Sequence, residues 1–447
     1  MGSIGKGIYM KLLSLLLAVI TLNVYASTPR FDNSKLFVKL KDGKAFPNST
    51  YIKSVKHLFG DNYLVDTTNA TKLAEEFAQD LSILKTEKNY YAGKRILPKT
   101  EPLQKSVELD IFNAFNDPKV GRVWSFRDAG GNGVSVDKSY LSPLGTEKEN
   151  MIVAVVDTGV DYNHEDLKNV MWKNTAEIAG NDVDDDNNGY VDDIYGINTL
   201  VKDIQGNATG DPQASHAHGT HVAGTIAAEQ NNNTGIAGIA STAQIMAIRT
   251  VPDASDETDA DVVESFLYAA KHGAKLINCS FGKSHNEGGM IVNETIDHIG
   301  ETYGTLVFAA AGNDYGRDID TNRQYPASFE SDYLVVVAST TKSGGLSWFS
   351  NVGAKSVDLA APGSSIYSTT PRNNYGNMSG TSMATPTTVG VAAEVWSHFP
   401  ELGALQLKKV LMESVTPVKD FQGKMVTGGR VDLYNALQYT LNNYRNL

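Results

Sequence analysis

Apolar residues fall into two kinds of run along this chain. Five short stretches are almost wholly apolar: Met151–Val156, Ile245–Val251, Leu276–Cys279, Leu306–Ala310 and Leu334–Ala338. Short runs without polar alternation suit strands of a parallel sheet whose two faces are both covered. Helical patterning lies between or after them, at Asp261–His272, Ile291–Tyr303, Ser382–Ser397 and Leu405–Glu413. The alternation predicts one α/β domain with a doubly wound, mostly parallel sheet and helices on both faces. Chemistry in such sheets collects at the carboxyl ends of the strands.

The pattern before residue 119 is different. Leu36-Phe37-Val38 and Tyr63-Leu64-Val65 read as short strands, and Tyr90–Leu97 as a further one. Leu73, Phe77, Leu81 and Leu84 recur at three and four, which predicts an amphipathic helix after a cap near Asn69 and Thr71. This is a small α+β unit. From Pro98 to about Pro118 no period is visible, as in a linker or processing zone. At the start, Lys11, the apolar run Leu12–Ile20 and Val24-Tyr25-Ala26 have the layout of a secretory signal, with a cut expected after Ala26. The run is short for a hydrocarbon core of ~30 Å, although an uncut N-terminal anchor is the alternative. The expected divisions are 1–26 signal, 27–118 small domain with linker, and 119–447 main domain.

Composition narrows the function. The 447 residues are 41 % hydrophobic and 20 % charged, which excludes wholesale disorder and collagen-like structure. A net charge of −12 argues against a general nucleic-acid binder. The charge is uneven. Residues 1–118 carry 16 Lys and Arg against 12 Asp and Glu, a surplus of +4, while the remainder carries −16. Such units can attract each other. The single cysteine, Cys279, excludes an internal disulfide and sits among apolar neighbours as an inert strand residue.

Four segments at predicted strand and helix ends carry chemistry. Asp157-Thr158-Gly159 follows the first strand, and Ala217-His218-Gly219-Thr220-His221 opens a helix. Gly312-Asn313 ends another strand, and Ser379-Gly380-Thr381-Ser382-Met383-Ala384 leads into the last long helix. Singly, each has a bland reading as a turn former, a helix cap or a satisfied polar residue. Jointly they supply what acyl transfer needs. A serine hydroxyl requires a base, an imidazole suits that task, and a carboxylate fixes the imidazole tautomer. A side-chain amide and a backbone N–H at a helix start can hold the oxyanion.

These segments resemble the signature blocks of the subtilisin-like serine proteases, the subtilases, over residues from about 120 to the C-terminus. The resemblance implies Asp157, His218 and Ser382 as the triad and Asn313 as oxyanion donor, with His221 structural. It implies that Ser280-Phe281-Gly282 is an edge pairing with extended polypeptide substrates. Beside Tyr325-Pro326-Ala327, Gln324 is expected to face the primary specificity pocket. The basic N-terminal unit is similar to the family's inhibitory propeptide, so a secreted or periplasmic zymogen is expected; a permanent accessory domain is the alternative. Thr387-Thr388-Val389-Gly390 departs from the family's usual His-Val-Ala-Gly, a helix-body change expected to alter packing only. Thr158 stands where dibasic-cleaving relatives carry a second Asp, and Asp314, Asp318 and Asp320 read as solvated loop acids rather than a basic-selective pocket.

A second signal lies at 184–193. Asp184, Asp186 and Asn188 alternate, Gly189 takes the sharp-turn position, and Tyr190 and Asp192 fall seventh and ninth, like the first part of a calcium loop. Tyr195 replaces the Glu of an EF-hand, so Asp193 is the expected substitute. The expectation is structural calcium, no organic cofactor, no nucleic acid, no membrane after signal cleavage, and a monomer whose partners are polypeptide substrates and its own propeptide. Two other readings stay open: a catalytically silent binding protein, and a calcium-dependent adhesion module. Failure to label with a serine-directed inhibitor would mark the first, and repeats or a C-terminal anchor the second.

Overall fold

The computed structural model describes residues 29–92, 97–101, 114–141, 144, 148–204, 206–253, 257–284 and 289–444. The expected signal segment and residues 102–113 of the expected linker lie outside them.

The small domain is a four-stranded antiparallel sheet of β1 (Phe31–Leu40), β2 (Ile52–Phe59), β3 (Asn62–Thr67) and β4 (Ile83–Tyr90), in the order β2-β3-β1-β4. One helix, Ala70–Phe77, covers a face, and Leu36, Val38, Leu40, Val65, Leu73 and Phe77 form the core between them. Asn69 caps this helix by accepting the Lys72 N–H at 3.0 Å. The predicted extension to Leu81 and Leu84 is wrong. Asp80 accepts both the N–H and the hydroxyl of Ser82, at 2.8 and 2.6 Å, and this local turn competes with another helical turn. Leu81 and Leu84 are accordingly 83 % and 58 % exposed. The fourth strand also ends at Tyr90, where the predicted strand was to begin; residues 93–96 of that prediction lie outside the described set.

Among the described residues the main sheet has ten strands. They are β5 (Met151–Asp157), β6 (Gly196–Lys202), β7 (Ala208–Thr209), β8 (Ala243–Arg249), β9 (Leu276–Cys279), β10 (Leu306–Ala310), β11 (Leu334–Thr340), β12 (Leu359–Pro362), β15 (Thr416–Pro417) and β16 (Gly429–Arg430). Between β12 and β15 in the chain, a separate hairpin joins β13 (Ile366–Thr370) to β14 (Asn374–Met378). The sheet order is β15-β16-β12-β11-β10-β9-β5-β8-β6-β7, parallel except at its two outer pairs. Alternate residues feed two cores: Val153, Val155, Leu306 and Phe308 on one face, Ala154, Val156, Val307 and Ala309 on the other. That double burial explains why these strands are continuous apolar runs. Phe115, just ahead of the expected boundary at 119, is already part of the first core. Among the described residues no helix is long and apolar enough to cross a membrane.

Chain order places β8 and β6 on one side of β5 and β9 on the other. The carboxyl ends of β5, β9 and β10 therefore bound a crevice at a topological switch point.

The small domain lies against helices Asp259–Lys271 and Ile291–Tyr303. Phe37 and Phe59 point away from their own core and are buried in the second core of the main domain. Phe59 stacks on His298 with ring centres 4.5 Å apart, and Lys39 pairs with Glu294 at 2.7 Å. Glu87 accepts the Ile291 N–H at 3.0 Å and Asn89 the Ala260 N–H at 2.9 Å, so the small domain caps both helices. Burial pushes the Glu87 carboxyl up from its usual range, opposed by the Met290 and Ile291 N–H groups and by Lys85.

Candidate active site

Asp157 closes β5, and the next two residues turn the chain beneath the start of helix Ala217–Ala227. The helix must come very close for His218 to reach Asp157. A Cβ at Gly219 would stand 2.2 Å from the Gly159 carbonyl oxygen, so only glycine permits the approach. The Gly219 N–H donates to Thr158 Oγ1 at 3.0 Å and pins the contact. His218 Nδ1 then lies 2.7 Å from Asp157 Oδ1, with both side chains 1 % exposed. A carboxylate so placed selects the tautomer that carries its proton on Nδ1 and presents Nε2 as the base. His218 Nε2 is buried and without a hydrogen-bond partner among the described residues. His221, one turn on, is fully buried and bonds through Nε2 to the Ile366 and Gly376 carbonyls at 2.9 and 3.2 Å. Burial lowers its pKa to about 3, which keeps it neutral.

Ser382 opens helix Thr381–His398. Its hydroxyl donates to the Ser280 carbonyl at 3.0 Å, and the Ser280 hydroxyl donates back to the Ser382 carbonyl at 3.0 Å. Asn278 supports this exchange by donating to Ser280 Oγ at 2.9 Å. Because Val156 pairs with Cys279 across β5 and β9, Ser280 lies beside Asp157 and brings Ser382 to the same crevice.

Asn313 follows β10 with its amide oriented by Thr381. Its Oδ1 accepts the Thr381 N–H at 2.9 Å and the Thr381 hydroxyl at 3.0 Å, which leaves the NH₂ group to face the crevice near Gly380. Gly312 makes the turn at φ +100°. Thr381 and Asn278 were not singled out from sequence; their roles depend on partners that only the fold supplies.

Phe281 and Gly282 line a small cavity with Ala92 of the N-terminal segment, Val262, Val292 and Phe329. Gln324 turns inward: its Oε1 is buried and unpartnered among the described residues, and its side chain lies close to both Gly282 and Gly312. The acids after Asn313 organise their own loops. Asp314 exchanges bonds with Asn351, and Asp320 accepts the N–H groups of Lys355 and Ser356.

The described parts of the N-terminal segment flank this crevice. Tyr91 pairs antiparallel with Thr258, and the Ala92 N–H donates to the Glu257 carbonyl at 2.9 Å. Beyond the undescribed residues 93–96, Pro98 lies against Gly380 and Glu101 pairs antiparallel with Asn377 on β14.

In the acidic loop, Asp184 and Asp186 converge with Glu177, one carboxylate oxygen of each lying within 4.8 Å of the others. Glu177 was missed because it precedes the motif; its oxygens accept the N–H groups of Asp185, Asp186 and Asp192. Asp192 and Asp193 do not join that group, contrary to expectation. Asp192 accepts the N–H groups of Gly180 and Asp182, and Asp193 is buried against Asn174, Asn188 and the Tyr268 hydroxyl. Asn188 Oδ1 accepts the Tyr190 N–H at 2.7 Å, which folds the two residues whose side-chain and carbonyl oxygens were expected as ligands into one turn. The carboxylates that converge as a hard cation would require are therefore Glu177, Asp184 and Asp186.

A serine hydroxyl at a helix start, a carboxylate-oriented imidazole and an exposed amide on a doubly wound sheet are the side-chain set of a serine protease with this topology. The chain belongs to the subtilase family, peptidase S8, whose model matches residues 148–430. It is 33 % identical over 307 residues to subtilisin-like protease 1 of Plasmodium berghei, covering 65 % of this chain and 50 % of that protein. Thermitase of Thermoactinomyces vulgaris is 35 % identical over 288 residues, 64 % of this chain and 88 % of that one. The halolysin-like extracellular serine protease Nep of Natrialba magadii is 32 % identical over 320 residues, 71 % of this chain and 51 % of that protein. The chain spans about half the length of the Plasmodium relatives. A solved protease structure from Pseudoalteromonas arctica shares the fold, with a TM-score of 0.59 at 24 % identity, covering 73 % of this chain and 99 % of that one.

Proposed function

We propose that this chain is the precursor of a secreted serine endopeptidase that cleaves extended polypeptides through an acyl-enzyme. The observation that carries the reading is the buried His218–Asp157 contact, which leaves Nε2 without a hydrogen-bond partner among the described residues. In the reaction the Ser382 hydroxyl turns from the Ser280 carbonyl to His218 Nε2, gives up its proton and attacks the scissile carbonyl. Asp157 stabilises the imidazolium. The Asn313 amide and the Ser382 N–H hold the oxyanion, and His218 returns the proton to the leaving amine. Water then repeats the sequence on the acyl-enzyme.

The N-terminal domain acts as an inhibitory propeptide in this reading. Support comes from its capping of two main-domain helices and from the segment 91–101, whose described parts flank the crevice as a bound peptide would. Secretion is supported by the signal-like residues 10–26, and one relative is named extracellular. Calcium would be held by Glu177, Asp184 and Asp186 and would neutralise their mutual repulsion. Its chemistry there is structural, since the group belongs to the 174–195 loop rather than to the triad. The test is casein hydrolysis by the purified secreted protein. Wild type is expected to cleave casein and Ser382→Ala to be inert; equal activity would refute the assignment. N-terminal sequencing of the active form separates propeptide from accessory domain, because only a propeptide is missing from it.

A further inference from the structure

We propose that Ser365 and Ser379 form a subsite for a carboxylate side chain of the substrate, downstream of the cleaved bond. The proposal rests on the peptidase reading and deepens it. Its basis is an acidic side chain, Glu101, that the structure seats there. The segment runs from Ala92, beside Glu257, past Pro98 against Gly380, to Glu101. It therefore leaves the crevice on the side away from the Thr258 edge, in the direction of a leaving product.

At Glu101 the contacts are specific. The Glu101 N–H donates to the Asn377 carbonyl at 2.6 Å, which fixes the register on β14. The Ser379 hydroxyl donates to Glu101 Oε1, and the Ser365 hydroxyl donates to Oε2 at 3.2 Å. Both donors are pre-set. Ser379 Oγ accepts the Ser365 N–H at 2.8 Å, which directs its own proton outward. Ser365 is held at φ +54°, an uncommon conformation for a residue with a Cβ, while the Trp124 indole N–H donates to the carbonyls of Ser364 and Ser365, both at 3.1 Å. Two convergent hydroxyl donors suit a carboxylate, which has two acceptor oxygens. An amide offers one acceptor oxygen and an alkyl group none. Ser379 lies three residues before Ser382, so the subsite is rigidly coupled to the nucleophile's helix start.

The test uses a peptide with the sequence from Tyr90 to Gln104 and its Glu101→Gln and Glu101→Ala versions, as competitive inhibitors of the processed enzyme hydrolysing a chromogenic peptide. Active sites are titrated with a serine-directed inhibitor. The unsubstituted peptide is expected to bind about tenfold more tightly than the other two, and Ser379→Ala or Ser365→Ala to bring that ratio near one. Equal binding of the three peptides, or a ratio unchanged in both variants, overturns the proposal. Loss of chromogenic hydrolysis itself would instead strike the peptidase reading. Independently of processing, Glu101→Gln in the full-length Ser382→Ala chain is expected to speed amide exchange at Glu101 at least severalfold; unchanged protection also counts against the subsite.

Discussion

His218 and His221 lie one turn apart on the same helix, yet their imidazoles do opposite things. The first faces a carboxylate with one nitrogen open; the second ties the β13–β14 hairpin to the helix as a neutral donor. For His221 the pH consequence follows from linkage. Its folded pKa of about 3 lies below the ordinary ~6.5, so between those values the unfolded chain binds the extra proton. Stability is then full above about pH 6.5 and falls as pH drops toward 3, by up to ~1.4 kcal/mol per pH unit from this group. In the inert Ser382→Ala background, His221→Gln is expected to flatten the dependence of Tm on pH between 6.5 and 4; parallel curves would contradict it. For Asn313→Ala, kcat is expected to fall ~10²–10³-fold with little change in KM, the magnitude being that known for subtilisin's own amide donor. The four candidate side chains, Asp157, His218, Asn313 and Ser382, stood out because each sits in a short motif at a strand or helix end. Thr381, Asn278 and Ser280 in its positioning role were not, since a threonine that orients an amide is defined by which oxygen the fold brings to it.

At the level of elements, the apolar runs that alternate between two buried faces could be read directly, and β9 and β10 fall where their runs predict. The β6 and β12 strands and the β13–β14 hairpin were missed. The hairpin strands read Ile-Tyr-Ser-Thr-Thr and Asn-Tyr-Gly-Asn-Met, and their hydroxyls bond to helix carbonyls: Ser368 to His221 and Thr369 to Thr220. Polar burial of this kind leaves no hydrophobic signature. The acidic loop shows the same limit. Spacing selected Asp184 and Asp186, but the third carboxylate, Glu177, comes from before the loop, and Asp193 is taken by a phenol from another helix. With calcium bound at the first three, chelation is expected to lower Tm by several degrees, and Glu177→Gln to remove most of that chelator effect. An unchanged chelator shift in the variant would dismiss this ligand set.

Across the whole molecule, the charge division seen in sequence corresponds to two docked bodies. Lys39–Glu294 and Lys56–Glu264 cross the interface, and two side chains of the small domain cap helices of the large one. Partly exposed ion pairs contribute modestly, so the buried Phe37 and Phe59 are expected to carry most of the docking. Part of the interface is open. A cavity of about 560 Å³ lies between the small sheet and helix Asp259–Lys271, lined by Lys56, His57, Asn188 and Glu264 among others. Burying a phenylalanine is worth about 1.5–3 kcal/mol. Under the propeptide reading, Phe59→Ala is therefore expected to weaken retention of the cut N-terminal piece about 10- to 100-fold, measured as its inhibition constant against the mature enzyme. An unchanged constant would show that Phe59 does not carry the docking.

The proposed function rests on one chemical event, activation of the Ser382 hydroxyl by His218. Processed enzyme treated with a serine-directed organophosphorus reagent and analysed by intact mass and peptide mapping tests it. A single adduct on the peptide carrying Ser382, with labelling slowed by orders of magnitude in His218→Ala, is the expected result. An adduct at another residue, or equal labelling rates with and without the imidazole, would contradict it.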